Sequence, residues 1–306
     1  MSVSEFERFA VRRPFREAGR PGAAGRRASP LVFLSNGQVP EANAYVDLTW
    51  VYGIPEPNPN PPRQVLDHDQ FLIYIGMDHR RPQVLGGTVE LELGGQPIVL
   101  NTTTAVYVPR GTLYGQAVWK ELHHPLLQVT IVPGSGGPHV RPGREAVGAV
   151  GDGAPSPTGE FDYEQYVVRS PLREAGPDYV EGRQNPTMTY MSGKQVPGVK
   201  NYLEIGWIWD VPTRPIPRMR HANHDEIVLH IGGDSERPED LGATMRFDLG
   251  DDLLEFDTTH CVFIPRELVH GPLIWKEVRR PMIELAVMLG AGTWAEGWEG
   301  SFFDES

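Results

Sequence analysis

Two histidines and a glutamate in the second half of the chain have the types and spacing of metal ligands. His221 lies five residues before Glu226, at the start of an apolar segment, and His270 follows a proline-centred turn 44 residues after Glu226. Imidazole and carboxylate groups that meet on neighbouring strands form a three-ligand set, which leaves positions on a divalent cation open to substrate, water or dioxygen. The pattern therefore predicts a metal site, and the ligand types suit Fe(II), Mn(II), Zn(II), Ni(II) or Co(II).

The chain contains an internal duplication, so that each half serves as a control for the other. The segment at 6–19 returns at 163–176, 157 residues later, and the segment at 106–125 returns at 262–281. Residues kept in both copies are those that the fold needs, and residues present in one copy are candidates for chemistry. The three predicted ligands occur in the second copy alone, where the first copy has uncharged residues: Val65, Gln70 and Tyr114.

Three further histidines near these positions are candidates for a role in the site. His224 lies two residues before Glu226, but the first copy keeps a histidine, His68, at the same place, which favours a structural role and leaves a fourth ligand as the alternative. His230 and His260 are found in the second copy only. Each is a candidate catalytic acid or base, or a substrate contact, and the alternative for both is a packed histidine.

Three other side chains are candidate substrate contacts. Trp209 could form one wall of a pocket, because an indole ring offers a large apolar face. Arg220 and Arg266 lie beside the predicted ligands, where a guanidinium could pair with a substrate carboxylate. Solvent exposure is the ordinary alternative for both arginines.

The elements that must position these residues are predicted to be strands. With 34 glycines and 29 prolines in 306 residues, the sequence is punctuated too often for long helices. Short apolar segments between turn signals are typical of an all-β sandwich or barrel. Residues 88–93 alternate strictly between apolar and polar, as expected of a strand with one wet face, whereas 71–76 are nearly all apolar.

The duplication predicts one barrel in each half. We assign residues 1–132 to a first, degenerate barrel without metal, 133–159 to a linker rich in Gly, Pro and Ser, and 160–306 to a second barrel with the metal site.

Composition excludes several classes of function. A net charge of −12 argues against a nucleic-acid partner, because binding phosphates requires a basic face. No apolar run approaches the roughly 20 residues of a membrane span, and the N-terminus has no apolar signal-peptide core. A single cysteine fits a reducing compartment, so we expect a cytoplasmic protein without a membrane partner.

The order of these motifs resembles that of the cupins. A cupin has a first motif of histidines and glutamate closing on a glycine, and a second motif of proline followed by histidine. The corresponding residues here are His221, Glu226, Gly232, Pro265 and His270. One departure is that cupins usually carry His-x-His before the glutamate, whereas this chain has His221 and His224 separated by two residues.

The resemblance implies two tandem jelly-roll barrels, which together form a bicupin that covers nearly the whole chain. It also implies one divalent metal ion in the second barrel, a small organic substrate, and a homodimer as the assembly. A three-ligand site keeps positions open for substrate and O₂, which favours a mononuclear non-haem dioxygenase with Fe(II). The alternatives are a metal-dependent lyase, decarboxylase or isomerase, and a non-catalytic bicupin that binds or stores a small molecule.

Overall fold

A computed structural model of the protein describes residues 5–16, 24–26, 30–59, 63–134, 161–175 and 179–303. Nearly all of its regular structure is antiparallel strand. The strands of the described residues are β1 (Ala10–Val11), β2 (Phe15–Arg16), β3 (Ala24–Arg26), β4 (Leu31–Leu34), β5 (Ala44–Glu56), β6 (Gln64–Val65), β7 (Gln70–Gly76), β8 (Val84–Leu93), β9 (Gln96–Thr102), β10 (Thr104–Val108), β11 (Leu113–Leu122), β12 (Leu126–Pro133), β13 (Val167–Val168), β14 (Leu172–Ala175), β15 (Thr187–Met191), β16 (Asn201–Ile208), β17 (Asp225–Gly232), β18 (Asp240–Leu249), β19 (Asp252–Thr258), β20 (His260–Ile264), β21 (His270–Val278) and β22 (Met282–Leu289).

The helices are short. Two 3₁₀ turns, Glu7–Phe9 and Tyr163–Tyr166, occupy equivalent places in the duplication, and one α-helix, α1 (Trp294–Trp298), follows the last strand. Within the described ranges, no helix has the length and apolar character that crossing a bilayer requires. The prediction of an all-β chain is confirmed.

The chain forms two compact units. The C unit contains Met1–Pro14 and Ser170–Ser306, and the N unit contains Phe15–Arg169. These bounds differ from the predicted 1–132 and 160–306, because the first residues of each repeat belong to the unit built mainly from the other half. Of the predicted linker 133–159, all but Pro133 and Gly134 lie outside the described residues.

Both units have the same nested strand pairing. In the C unit β17 pairs with β20 and β22, and β18 pairs with β19 and β21. In the N unit β7 pairs with β10 and β12, and β8 pairs with β9 and β11. Strands far apart in sequence thus pair around a hairpin between them, which is the pairing of a jelly roll.

The first residues of each repeat, which belong to the unit built mainly from the other half, pack on equivalent strands. In the C unit β1 pairs with β20, and in the N unit β13 pairs with β10. The first residue of each segment is aromatic and lies against a glycine whose backbone has a left-handed conformation. Phe6 lies on Gly250, and Tyr163 lies on Gly94. A Cβ at Gly250 would approach the Phe6 ring to 2.4 Å, so both the backbone angle and the close packing require glycine there.

The interiors of the two units differ. That of the N unit is filled by a cluster of apolar residues that includes Leu91, Val106 and Trp119. The interior of the C unit contains a pocket of about 300 Å³, counting the part open to solvent. Alternate residues of β17 and β22 line this pocket, as strand geometry requires. The residues that could do chemistry are on those strands.

Candidate metal centre

Backbone hydrogen bonds bring the two halves of the predicted ligand set together. Met219 and His270 exchange N–H···O bonds of 2.8 and 3.0 Å, which joins the segment before His221 to the start of β21. The N–H of Glu267 donates to the carbonyl of His221 at 2.7 Å. The Asp225 side chain accepts from the N–H of Arg266 at 2.8 Å, and Asp69 does the same for Arg110 in the N unit. The frame is therefore common to both copies, although the predicted ligands are not.

The three predicted ligands converge inside the C unit. His221, Glu226 and His270 are at most 2 % exposed, and one ligand atom from each lies within 4.8 Å of the other two. Glu226 Oε2 is 3.1 Å from His221 Nε2 and 3.1 Å from His270 Nε2. Among the described residues, these three form the one group of this kind.

The partners of the other ring nitrogens determine the histidine tautomers. His270 Nδ1 lies 3.1 Å from the carbonyl oxygen of Leu268, which can only accept, so Nδ1 carries the proton. Ser301 donates its hydroxyl proton to the Gly297 carbonyl at 3.2 Å, and its oxygen accepts from His221 Nδ1 at 3.0 Å. A neutral imidazole with a proton on Nδ1 has its lone pair on Nε2. Both lone pairs are consequently directed at the carboxylate.

This arrangement of donor atoms fits a cation. Burial alone would raise the pKa of Glu226, but in the absence of a metal, protons on Nε2 of His221 and His270 hold it well below its usual value, so the carboxylate is ionised. A cation would take the place of those ring protons. Two imidazole lone pairs beside a carboxylate oxygen repel one another unless a positive charge lies among them. The contact of His270 Nε2 within this group is Glu226 Oε2, at 3.1 Å. A divalent metal ion would satisfy all three atoms.

His224 lies next to the three-residue group without belonging to it. Its ring centroid is 4.6 Å from that of His221, and its buried Nε2 has no hydrogen-bond partner. Burial, with the neighbouring His221, lowers the pKa of His224 to about 4. The ring is therefore neutral at pH 7, and a fourth ligand stays a prediction.

The hydrogen bond from Ser301 gives a first testable expectation. Because Ser301 fixes the tautomer and orientation of His221, Ser301→Ala should weaken metal binding by about 10- to 100-fold, the range for outer-shell partners of ligating histidines. Metal titration of the variant measures the change. Thr293→Ala is the matched control. Thr293 caps α1, the helix whose Gly297 carbonyl accepts from Ser301, but Thr293 does not touch His221. Equal affinity in wild type and Ser301→Ala would contradict the expectation.

A pocket extends from this group into the barrel. Its lining combines apolar side chains with three glutamates, a histidine and a tryptophan: Glu204, Ile216, Met219, Glu226, Val228, Phe247, His270, Leu273, Glu284, Ala286 and Trp298. Glu204 and Glu284 were not among the candidates from the sequence. Both are buried, on β16 and β22 respectively.

Glu284 is the pocket end of a hydrogen-bonded chain of ionisable groups. His260 Nδ1 donates to the Thr258 carbonyl at 2.7 Å, so its Nε2 accepts from His230 Nδ1 at 3.0 Å. His230 Nε2 lies 3.3 Å from Glu284 Oε2, and one proton is shared between them. Burial and the charge of His230 lower the pKa of His260 well below its usual value, which keeps that ring neutral.

Glu284 is ionised and faces the pocket. Burial alone would raise the pKa of Glu284, but the hydrogen bond from His230 and the charge of Arg183 lower it. Arg183 Nη2 is 3.9 Å from Glu284 Oε1.

The pKa of Glu204 shifts in the opposite direction to that of Glu284. Burial, with the nearby charge of Glu284, raises the pKa of Glu204 to about 8. Glu204 is 6 % exposed. At neutral pH the pocket beyond Glu226 thus contains one carboxyl group that holds its proton and one that has lost it, which is the arrangement of an acid and a base.

The N unit has neutral residues at the corresponding positions. Tyr74, Thr104 and Gln128 replace His230, His260 and Glu284, and they pair in the same strand register. Thr104 still donates to the carbonyl two residues before it, at 2.8 Å, as His260 does. Arg26 donates to Gln128 at 2.9 Å in the place of Arg183. The ionisable chain is confined to the C unit at these positions.

The duplication contained a signal for one of the two missed glutamates. Glu284 corresponds to Gln128, which is a difference of charge between the copies. Glu204 corresponds to Asp47, an acidic residue in both copies, so the same comparison could not single it out.

The structure does not place the predicted substrate contacts in the pocket lining. Trp209 is 40 % exposed. Arg220 pairs with Glu267 at 3.6 Å, and Arg266 pairs with Asp225 at 3.6 Å, both with largely exposed side chains. His230 and His260 are fully buried, and they reach the pocket only through Glu284.

Comparison with solved structures agrees with the topology. AerE from Microcystis aeruginosa aligns over 92 % of this chain and 99 % of its own length, with a TM-score of 0.55 and 10 % identity. A single-residue variant of oxalate decarboxylase from Bacillus subtilis aligns over 94 % of this chain and 78 % of its own, with a TM-score of 0.59 and 11 % identity. The chain has the two-domain cupin fold.

Identity this low establishes the bicupin fold and nothing finer. A chain of the same decarboxylase, from a study of its Mn(II) centres, aligns over 94 % of this chain, with a TM-score of 0.59. No protein-family model matches the sequence, and no curated protein matches it.

Proposed function

We propose that this bicupin is a metal-dependent enzyme that binds one divalent cation through His221, Glu226 and His270 and acts on a small organic molecule in the adjoining pocket. The observation that carries the proposal is the buried meeting of two imidazole nitrogens and a carboxylate oxygen, an arrangement that a divalent cation would satisfy. A bound cation would supply Lewis acidity or a site for O₂. Manganese, which the related decarboxylase binds, and Fe(II) both suit this ligand set.

The reaction class that the pocket supports best is proton transfer, as in a lyase or isomerase. Glu284 can accept a proton from substrate, and His230, already hydrogen-bonded to it, stabilises its charged form. Glu204 can donate the proton that it holds at neutral pH. His260 hydrogen-bonds to His230 and to the Thr258 carbonyl, so it acts as a positioning residue that fixes the His230 tautomer. Both glutamates are largely buried, with Glu204 6 % and Glu284 8 % exposed.

The dioxygenase predicted from the sequence is the second candidate. It is favoured by the three-member ligand group, with His224 outside it, because three protein ligands leave room for both substrate and O₂. Turnover with and without oxygen separates the two candidates, since a lyase or isomerase works anaerobically. Metal content tests the cation site that both candidates require. Protein from metal-replete medium should hold about one divalent ion per chain. Protein without metal would favour the non-catalytic binding bicupin.

Replacement of Glu284 tests the proton-transfer proposal. Glu284→Gln retains the size of the side chain, and glutamine occupies this position in the N unit, so folding and metal content should be unchanged. Loss of a general base typically lowers turnover by about 10²- to 10⁴-fold. The measurement is kcat for the substrate identified in the anaerobic screen. Exposed Glu299→Gln is the control, and a Glu284→Gln variant with wild-type kcat would refute the assigned role.

A further inference from the structure

A short segment after helix α1 runs beside the backbone that precedes the first ligand histidine. We call residues 299–303 the Ser301 segment. The N–H of Arg220 donates to the Ser301 carbonyl at 2.9 Å, and the N–H of Phe303 donates to the Arg218 carbonyl at 3.3 Å. The opposite edge of the same backbone pairs with the start of β21. The backbone that carries the ligand is therefore held from two sides.

One side chain of the Ser301 segment reaches the ligand ring itself. Ser301 is buried, with its hydroxyl oxygen 3.0 Å from His221 Nδ1 and 3.2 Å from the Gly297 carbonyl oxygen. A cation on His221 Nε2 leaves the ring proton on Nδ1, so Ser301 can accept from the ring and donate to Gly297 at the same time. With the only ring proton on Nε2, Nδ1 has to accept, and the one hydroxyl proton cannot serve both partners. Metal binding thus adds a hydrogen bond that holds the segment.

The rest of the Ser301 segment has few buried contacts. The Phe302 ring stacks on Trp298, with centroids 5.6 Å apart and an angle of 4° between the planes. Phe302 is nevertheless 47 % exposed and Phe303 is 43 % exposed. Segments with few buried apolar contacts open locally at little cost in free energy, whereas core strands do not. The Ser301 segment therefore opens more readily than the strands of the barrel.

Opening of the segment would also uncover the pocket. Trp298 belongs to the pocket lining, and its ring meets that of His221 edge to face at a centroid distance of 5.6 Å. Release of the Ser301 segment would remove Phe302 from this indole and the hydroxyl of Ser301 from His221 together. A single local movement thus affects both a metal ligand and a wall of the pocket.

We infer that metal binding and docking of the Ser301 segment stabilise each other. The inference rests on the proposed function, because it needs a cation on His221. Coupling of this kind is reciprocal: the factor by which docking strengthens metal binding is the factor by which bound metal favours docking. For an outer-shell partner of a ligating histidine, that factor is about 10 to 100. Because Phe302 covers Trp298, the pocket wall is completed in the metal-loaded protein, which orders the cation before the organic ligand.

Hydrogen–deuterium exchange measured by mass spectrometry tests the coupling in the full-length protein. The peptide that contains residues 299–303 is followed in metal-free protein and in protein loaded with Mn(II). Bound manganese should slow its exchange by about 10- to 100-fold, because local opening then weakens a filled metal site. The turn at 78–81 in the N unit, where the N–H of Arg81 donates to the Asp78 carbonyl at 3.0 Å, is the internal control. Its opening leaves the metal site intact, so its exchange should not change.

The variant Ser301→Ala separates the hydroxyl link from a general effect of metal on the protein. It retains all three ligands and the backbone bonds of the segment, so a sufficient concentration of manganese fills its site. The slowing of exchange at 299–303 by manganese should then be largely lost, because the ring of His221 no longer has a hydroxyl partner. Thr293→Ala changes the cap of α1 without removing that partner, and it should retain the full slowing.

Two different failures are distinguishable, because metal content is measured before each exchange experiment. Wild-type protein that holds manganese but exchanges residues 299–303 at the metal-free rate overturns the inference, and this comparison decides the question even if the variant does not fold. Equal slowing in wild type and Ser301→Ala also overturns it. Wild-type protein that takes up no manganese refutes the proposed metal centre itself.

Discussion

Replacement of His270 with alanine is expected to weaken divalent-metal binding by more than about 100-fold, beyond the loss caused by removing an outer-shell partner. The variant loses one of three ligands and leaves Glu226 facing a single imidazole, at 3.1 Å from His221 Nε2. Elemental analysis after dialysis should find about one metal ion per wild-type chain and almost none in His270→Ala. Stoichiometric metal in the dialysed variant would refute the centre.

Thermal unfolding provides an independent measurement of the same loss. Metal present at about 100 times its Kd should stabilise the wild-type protein by about 2.7 kcal/mol, and the same concentration should not stabilise His270→Ala. His224→Ala is the control. If three residues hold the metal, His224→Ala retains nearly all of the stabilisation. A loss equal to that of His270→Ala would instead assign His224 as a fourth ligand.

Replacement of Glu204 with glutamine is expected to change how stability depends on pH. With its pKa raised from 4.5 to about 8, Glu204 keeps its proton in the folded protein after the unfolded chain has released it. The folded state therefore binds more protons than the unfolded state between those values, and stability falls as pH rises through this range. At roughly 1.4 kcal/mol per pKa unit, the upper limit of the loss is about 5 kcal/mol.

Glu204→Gln should remove this loss, so that the variant is more stable than wild type at pH 8.5 by an amount that disappears near pH 4.5. Urea unfolding of the metal-free proteins at several pH values measures it. Glu284, whose pKa is lowered, contributes stability that disappears only as pH falls below about 4.5, outside this window. Exposed Glu299→Gln is the control. Parallel curves for wild type and Glu204→Gln would show that Glu204 ionises normally.

The duplication explains why so much of the candidate site could be predicted from the sequence. Two copies of one fold share the residues that form its turns, such as Asp69 and Asp225, which both accept from a backbone N–H in the second motif. Differences between the copies then stand out. The side chains of His221, Glu226 and His270 were singled out in this way, and the structure brings them together.

Comparison of the copies could not reveal a role that depends on the direction in which a side chain points from its strand. Glu284 differs from Gln128, but a glutamate on a strand points into a barrel or away from it according to register. Glu204 is acidic in both copies, and its raised pKa results from burial beside Glu284, 80 positions away in the sequence. Similarly, the repeat located the segments at 6–19 and 163–176 but not the unit on which each one packs.

The sequence alone determined the all-β class, the two repeats and the half of the chain that holds the ligand residues, because strand periodicity and residue identity are local properties. The tertiary structure decided which acidic groups share a cavity and which partners the histidine nitrogens have. It also decided on which unit the first residues of each repeat pack. These depend on distances between strands that are remote in the chain. Burial and hydrogen bonding across those distances raise the pKa of Glu204 and lower that of Glu284.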